Sequence, residues 1–176
     1  MNKKNQDRLE IGDVLFHYSP TILGRLINWF QSLREGKKFR CSHVSMYIGN
    51  GQIIEARSKV EINDIPWSKI VAVKRYEEKD GFDGQLNKIL TKIEKINLLA
   101  YALDHVGEDY AYVQIAIIAL SKLFGAKGFD ADPHKTICSE YVSNCYKSIS
   151  INFAPEKSAM TTPLDLAFSK KLVEVK

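Results

Sequence analysis

The sequence predicts an α+β fold, an antiparallel β-sheet packed against several helices. Short runs of strand-forming residues crowd the first half of the chain, separated by the turn chemistry of Asn50-Gly51 and Asp64-Ile65-Pro66. Downstream, apolar residues recur at spacings of three and four, the mark of a helix face. With 176 residues and 45% hydrophobic content, the chain can build one well-packed core and is too short for two comfortable domains. Residues 1–176 are therefore read as a single domain, with 1–10 as a flexible N-terminus.

The first element is a short strand from Asp13 to Tyr18. Ser19-Pro20 then supplies a helix N-cap followed by proline at the first helical position. That helix clusters Ile22, Leu26, Trp29 and Phe30 on one face and ends in the charged run from Arg34 to Lys38. Strands are expected over Ser42–Gly49, Gln52–Arg57, Val60–Asn63 and Ile70–Tyr76 as an antiparallel meander.

From Gln85 to Val106 the positions Leu86, Ile89, Leu90, Ile93, Ile96, Leu99, Ala100 and Leu103 form the best helical periodicity in the chain, and Gly107 closes that helix. A segment from Tyr110 to Phe124 is apolar nearly all round and should be buried. After a loop rich in Gly, Asp and Pro, a helix begins at Thr136 and carries Cys138, Val142, Cys145 and Ile149 along one face. Thr162-Pro163 opens a short helix, and Leu172–Val175 can add a last strand.

Composition narrows the function. A net charge of +4, from 25 basic and 21 acidic residues spread along the chain, is only a weak lean toward anionic partners. Basic residues do not interleave with aromatics, so nucleic acid is not an expected partner. Neither Gly-x-x-x-x-Gly-Lys nor Gly-x-Gly-x-x-Gly occurs, which removes the simple nucleotide-binding readings. His105 and His134 lack a Cys or His partner at ligand spacing and no His-Glu-x-x-His occurs, so neither a metal nor a cofactor is expected.

The three cysteines form an odd set and the first residues are polar, which points to a reducing, cytoplasmic location. The most apolar stretch, Ala111 to Leu120, is roughly half of a bilayer span. Trp29 and Phe30 could touch a membrane, but core burial is the expected placement.

One set of residues carries chemistry. A thiol with a pKa of roughly 8.5 is a poor nucleophile at neutral pH unless its surroundings favour the thiolate. With Thr136 as N-cap, Cys138 sits in the first helical turn, where unpaired backbone N–H groups and the positive end of the helix dipole favour an anion and can hold an oxyanion. His43 can act as general base, and Glu55 can orient its ring. Cys145 reads as a core residue and Cys41 as an edge residue.

Whether His43 and Glu55 meet depends on the hairpin loop. A two-residue Asn50-Gly51 turn pairs Gly49 with Gln52 and sends the two side chains to opposite faces. A three-residue loop pairs Ile48 with Gln52 and places Glu55 diagonal to His43 on one face. The functional reading requires the second register, against the commonest rule for Asn-Gly. Tyr110, Tyr18 and His17 are further candidates, for contact with substrate along the cleft.

The run Ser42-His43-Val44-Ser45-Met46-Tyr47-Ile48-Gly49-Asn50-Gly51, followed by Ile54-Glu55-Ala56, resembles the histidine hairpin of NlpC-type papain-fold cysteine peptidases of bacterial cell walls. There the cysteine helix precedes the hairpin; here Cys138-Ser139-Glu140 follows it. This order resembles the circularly permuted branch, the YaeF/YiiX-like amidases, with lecithin:retinol acyltransferase-like proteins as relatives.

Gly12-Asp13-Val14-Leu15-Phe16 resembles that branch's opening element, Gly107-Glu108-Asp109-Tyr110 its Gly-x-x-Tyr element, and Thr162–Leu166 its closing one. Ala111 stands where Asp is expected after Tyr110. The resemblance implies Cys138 as nucleophile, His43 as base and later acid, and Glu55 as third member. It further implies cleavage of an amide bond in a peptide or a cell-wall-derived peptide. The alternatives are a lipid-directed thioesterase or acyltransferase with the same triad, and a module that binds an acyl or peptide ligand without turnover.

Overall fold

The computed structural model describes residues 3–18, 41–80, 86–109, 138–153, 161 and 163–175. The helix expected after Ser19, the apolar segment Tyr110–Phe124 and the cap at Thr136 lie outside these residues.

The sequence folds as α+β. Six strands form one antiparallel sheet: β1 (Val14–His17), β2 (His43–Gly49), β3 (Gln52–Ala56), β4 (Val60–Asp64), β5 (Ile70–Tyr76) and β8 (Leu172–Glu174). Their order is β4-β3-β2-β1-β5-β8. The strands β6 (Glu78–Asp80) and β7 (Leu86–Lys88) form a separate hairpin.

Strand β1 lies at the middle of the sheet, with both faces covered, which is why it reads as a continuous apolar run instead of alternating. On one face Val14, Phe16, Val44, Met46 and Ile54 pack against the helices; on the other Leu15, Tyr47, Ile53, Ile65, Ile70 and Val73 form a smaller cluster with Leu9.

Three α-helices are described: α1 (Lys92–Asp104), α2 (Cys138–Lys147) and α3 (Pro163–Ala167). Helix α2 buries Cys138, Tyr141, Val142 and Cys145 against β2 and β3. No described helix is long and apolar enough to cross a membrane.

The expected helix from Gln85 is corrected twice. Residues Leu86–Lys88 are strand, and the helix starts only after Thr91, whose side chain accepts from Glu94 N–H while Glu94 accepts from Thr91 N–H. This capping box fixes the start more firmly than periodicity does. The face is also different. Leu98 and Ala102 are the buried residues of α1, whereas Ile93 is 71% and Ile96 65% exposed.

Residues 3–10, expected to be loose, are held in place. Lys3–Arg8 form a 3-10 helix, and Leu9 is buried. The Arg8 carbonyl and the Glu10 carboxylate both bind Arg75. Asp13 is buried and takes the same guanidinium in two hydrogen bonds, Nε to Oδ1 at 2.8 Å and Nη2 to Oδ2 at 2.9 Å. Gly12 has φ +97°, and a Cβ there would lie 2.8 Å from Leu90 Cδ1, so this position requires glycine.

Candidate active site

The β2–β3 hairpin positions the first two candidate residues. Asn50 and Gly51 both have positive φ, 53° and 76°, and Gly49 pairs with Gln52, so the turn has two residues. Beyond it, however, Tyr47 pairs with Ile53 and Met46 with Ile54. Ile48 is the extra residue of a β-bulge, and the bulge shifts the register by one. The expected three-residue loop is thus replaced by the favoured Asn-Gly turn plus a bulge. Either solution brings His43 and Glu55 to one face.

There His43 Nε2 and Glu55 Oε2 are 2.7 Å apart. Glu55 is 1% exposed, and its second oxygen accepts from Asn63 Nδ2 at 3.1 Å and lies 2.9 Å from Arg57 Nε. The Arg57 contact is an ion pair and not an aligned hydrogen bond, since Nε has no hydrogen-bond partner. Burial works against ionised Glu55. The His43 hydrogen bond and charge, helped by Arg57, outweigh it and hold the carboxyl down at about 2.

Cys138, the first described residue of α2, reaches the same imidazole through a side-chain hydrogen bond. Nε2 being engaged by Glu55, Nδ1 is the nitrogen left for the sulfur. Burial pushes the Cys138 thiol up, but the charge and hydrogen bond of His43 and the backbone N–H groups of Val44 and Ser139 overcome it, so the thiol lies below its ordinary range. For His43 burial disfavours the cation, yet the sulfur and then Glu55 raise the ring to about 9. The arrangement favours thiolate beside imidazolium.

The other cysteines differ. Cys41, expected at an edge, is fully buried and donates its S–H to the His43 carbonyl at 3.2 Å. Burial raises its thiol far above the ordinary value and raises that of Cys145 to about 12. Of the three cysteines only Cys138 is shifted toward the thiolate.

His17, expected along the cleft, is 3% exposed, as buried as Cys138 at 4%. It is the cross-strand partner of His43, with ring centroids 5.2 Å apart in an edge-on arrangement. Its Nε2 is 2.7 Å from Ser45 Oγ, and its Nδ1 has no hydrogen-bond partner. Burial, reinforced by the charge on His43, lowers its pKa to about 3 and keeps it neutral. Tyr18 is half-buried, with its backbone N–H donating to Lys69. Tyr110 lies outside the described residues.

Sequence reasoning missed Asn63, the packing of His17 on His43, and Ser45. The alternation of strands could have found Asn63 and Ser45, since both lie on the face of Glu55.

No protein-family profile matches this sequence, and no curated protein matches it. Solved structures do. The chain is similar to the crystal structure of the metalloprotein YiiX from Escherichia coli O157:H7, described as DUF1105, with a TM-score of 0.64 and 15% identity over 95% of this chain and 96% of that one.

The chain has a YiiX-type fold.

The similarity spans nearly the whole of both chains. YiiX is described as a metalloprotein, yet among the described residues of this chain no three His, Cys, Asp or Glu side chains are grouped to hold a metal ion.

Proposed function

We propose that this protein is a cysteine hydrolase that cleaves an amide bond through an acyl-enzyme, with Cys138 as nucleophile, His43 as general base and acid, and Glu55 as the group that orients His43. The observation that carries the reading is the imidazole of His43, held at 2.7 Å by a buried carboxylate and hydrogen-bonded to the sulfur of Cys138. The YiiX-type fold supports it at the level of architecture.

The Cys138 thiolate adds to the carbonyl carbon, and its S–C bond forms as the carbonyl electrons move onto oxygen. The start of α2 offers N–H groups to that oxyanion. Collapse expels the amine, which takes the proton from His43. Water then attacks the thioester, His43 accepts its proton, and the thiolate leaves with the acid as product. Chain order is irrelevant to this cycle, because a triad is defined by geometry.

The substrate is a peptide, by likeness to cell-wall-directed amidases; the same chemistry would serve a lipid ester or thioester. Peptidoglycan fragments, phospholipids and acyl-thiol probes offered to wild type and to Cys138→Ala test the proposal. Turnover lost in Cys138→Ala supports it, and turnover retained there ends it. Equal, slow labelling of all three cysteines by iodoacetamide below neutral pH would instead favour a binding module.

A further inference from the structure

We propose that the outward face of α1 is a self-association surface, on which a second copy of this chain lays its own α1 antiparallel. The helix runs from Lys92 to Asp104 and turns Leu98 and Ala102 inward. Its opposite face carries Ile93, Ile96, Ala100 and Leu103, at spacings of three and four, all exposed. Amphipathic helices of soluble proteins put polar residues there. A stripe with two isoleucines this open is an anomaly calling for a partner.

The charges identify which partner. Lys92 is the first residue of α1 and Asp104 the last, both exposed and both flanking the stripe. Each stands at the wrong end of its own helix, where the dipole disfavours a cation at the N-terminus and an anion at the C-terminus. A second α1 laid antiparallel reverses both penalties. Lys92 then meets the other copy's C-terminal end, and Asp104 its N-terminal end.

The stripe also reads alike from both directions: Lys92, Ile93 and Ile96 from one end face Asp104, Leu103 and Ala100 from the other. Small Ala100 opposite large Ile96 lets the helices approach closely. Such self-complementarity is what a two-fold interface requires, the same patch serving both copies. An anionic membrane would match Lys92 but be repelled by Asp104.

A helix about 20 Å long buries less than a standard interface, so the dimer is weak and concentration-dependent. Sedimentation velocity of the full chain over about a hundredfold range of concentration should show a reversible shift from monomer to dimer. Lys92→Asp and Asp104→Lys should each weaken the dimer about tenfold, since each changes two symmetric contacts. The double exchange Lys92→Asp with Asp104→Lys should restore it in part, since the opposite charges meet again across the seam while each now faces the unfavourable end of the other helix. Ile96→Glu should abolish it with the circular dichroism spectrum unchanged.

A chain monomeric throughout, or a double exchange no better than the single ones, overturns the proposal. So does a monomer that floats with vesicles of anionic lipid and loses that binding in Ile96→Glu.

Discussion

At the scale of single residues, four ionisable groups set the pH response, and they act in different windows. Glu55 is held at about 2, so it favours ionisation in the folded chain more than in the unfolded one. Its contribution is complete above the ordinary carboxylate value of roughly 4.3 and is lost as pH falls toward 2. His17 is held neutral with a folded pKa of about 3. The unfolded chain binds that proton from roughly 6.5 downward, so stability falls with pH already through the range above the Glu55 window. Urea titrations at pH 7 and pH 5 should show a difference between wild type and His17→Gln that changes by about 2 kcal/mol, the wild type losing more as pH falls.

His43 and Cys138 govern reactivity instead. Glu55→Gln keeps an acceptor but removes the charge that favours imidazolium. The iodoacetamide labelling profile of Cys138 should therefore move upward by about one pH unit, while Cys41 and Cys145 stay slow. A profile that does not move would mean that Glu55 is structural only.

At the scale of elements, the strands were legible because period-two runs end in turn residues. The expected strand from Ile70 to Tyr76 coincides with the observed β5. Periodicity was less informative for α1. Ile93 and Ile96 satisfy a helical spacing as well as Leu98 and Ala102 do, and only tertiary packing decides which face turns inward. The hairpin shows a second kind of limit.

Asn50-Gly51 correctly signals a two-residue turn, but a bulge leaves no comparable signature, and here the bulge decides whether His43 and Glu55 share a face. Gly49, beside the bulge, has φ +105° with only Ile11 Cγ1 near an added Cβ, at 3.9 Å. Conformation and not space restricts that position. Gly49→Val should cost about 1–3 kcal/mol in chemical denaturation and slow Cys138 labelling, because relaxing the strain disturbs the register. Normal stability with normal labelling would show that the bulge does not depend on glycine.

At the scale of the whole molecule, one clamp ties the opening of the chain to the middle of the sheet. Arg75 on β5 binds Asp13, Glu10 and the Arg8 carbonyl, and Tyr146 of α2 donates to the Gly12 carbonyl. The Gly12-Asp13 pair, only a weak motif in the sequence, is thus the point where N-terminus, sheet and cysteine helix meet. Burial raises the Asp13 carboxyl and Arg75 offsets this only in part, so the pair is poised against loss of its cation.

Arg75→Met should leave a buried carboxylate without compensation and cost about 3 kcal/mol at pH 7. The folded chain without Arg75 then takes up a proton at Asp13 more readily than the unfolded chain, so the deficit should shrink as pH falls from 7 to 5. Adding Asp13→Asn to Arg75→Met should recover part of the loss at pH 7 and remove its pH dependence. A deficit equal at both pH values, and unchanged in the double variant, would show that Arg75 acts through packing of its stem and not through the charge of Asp13.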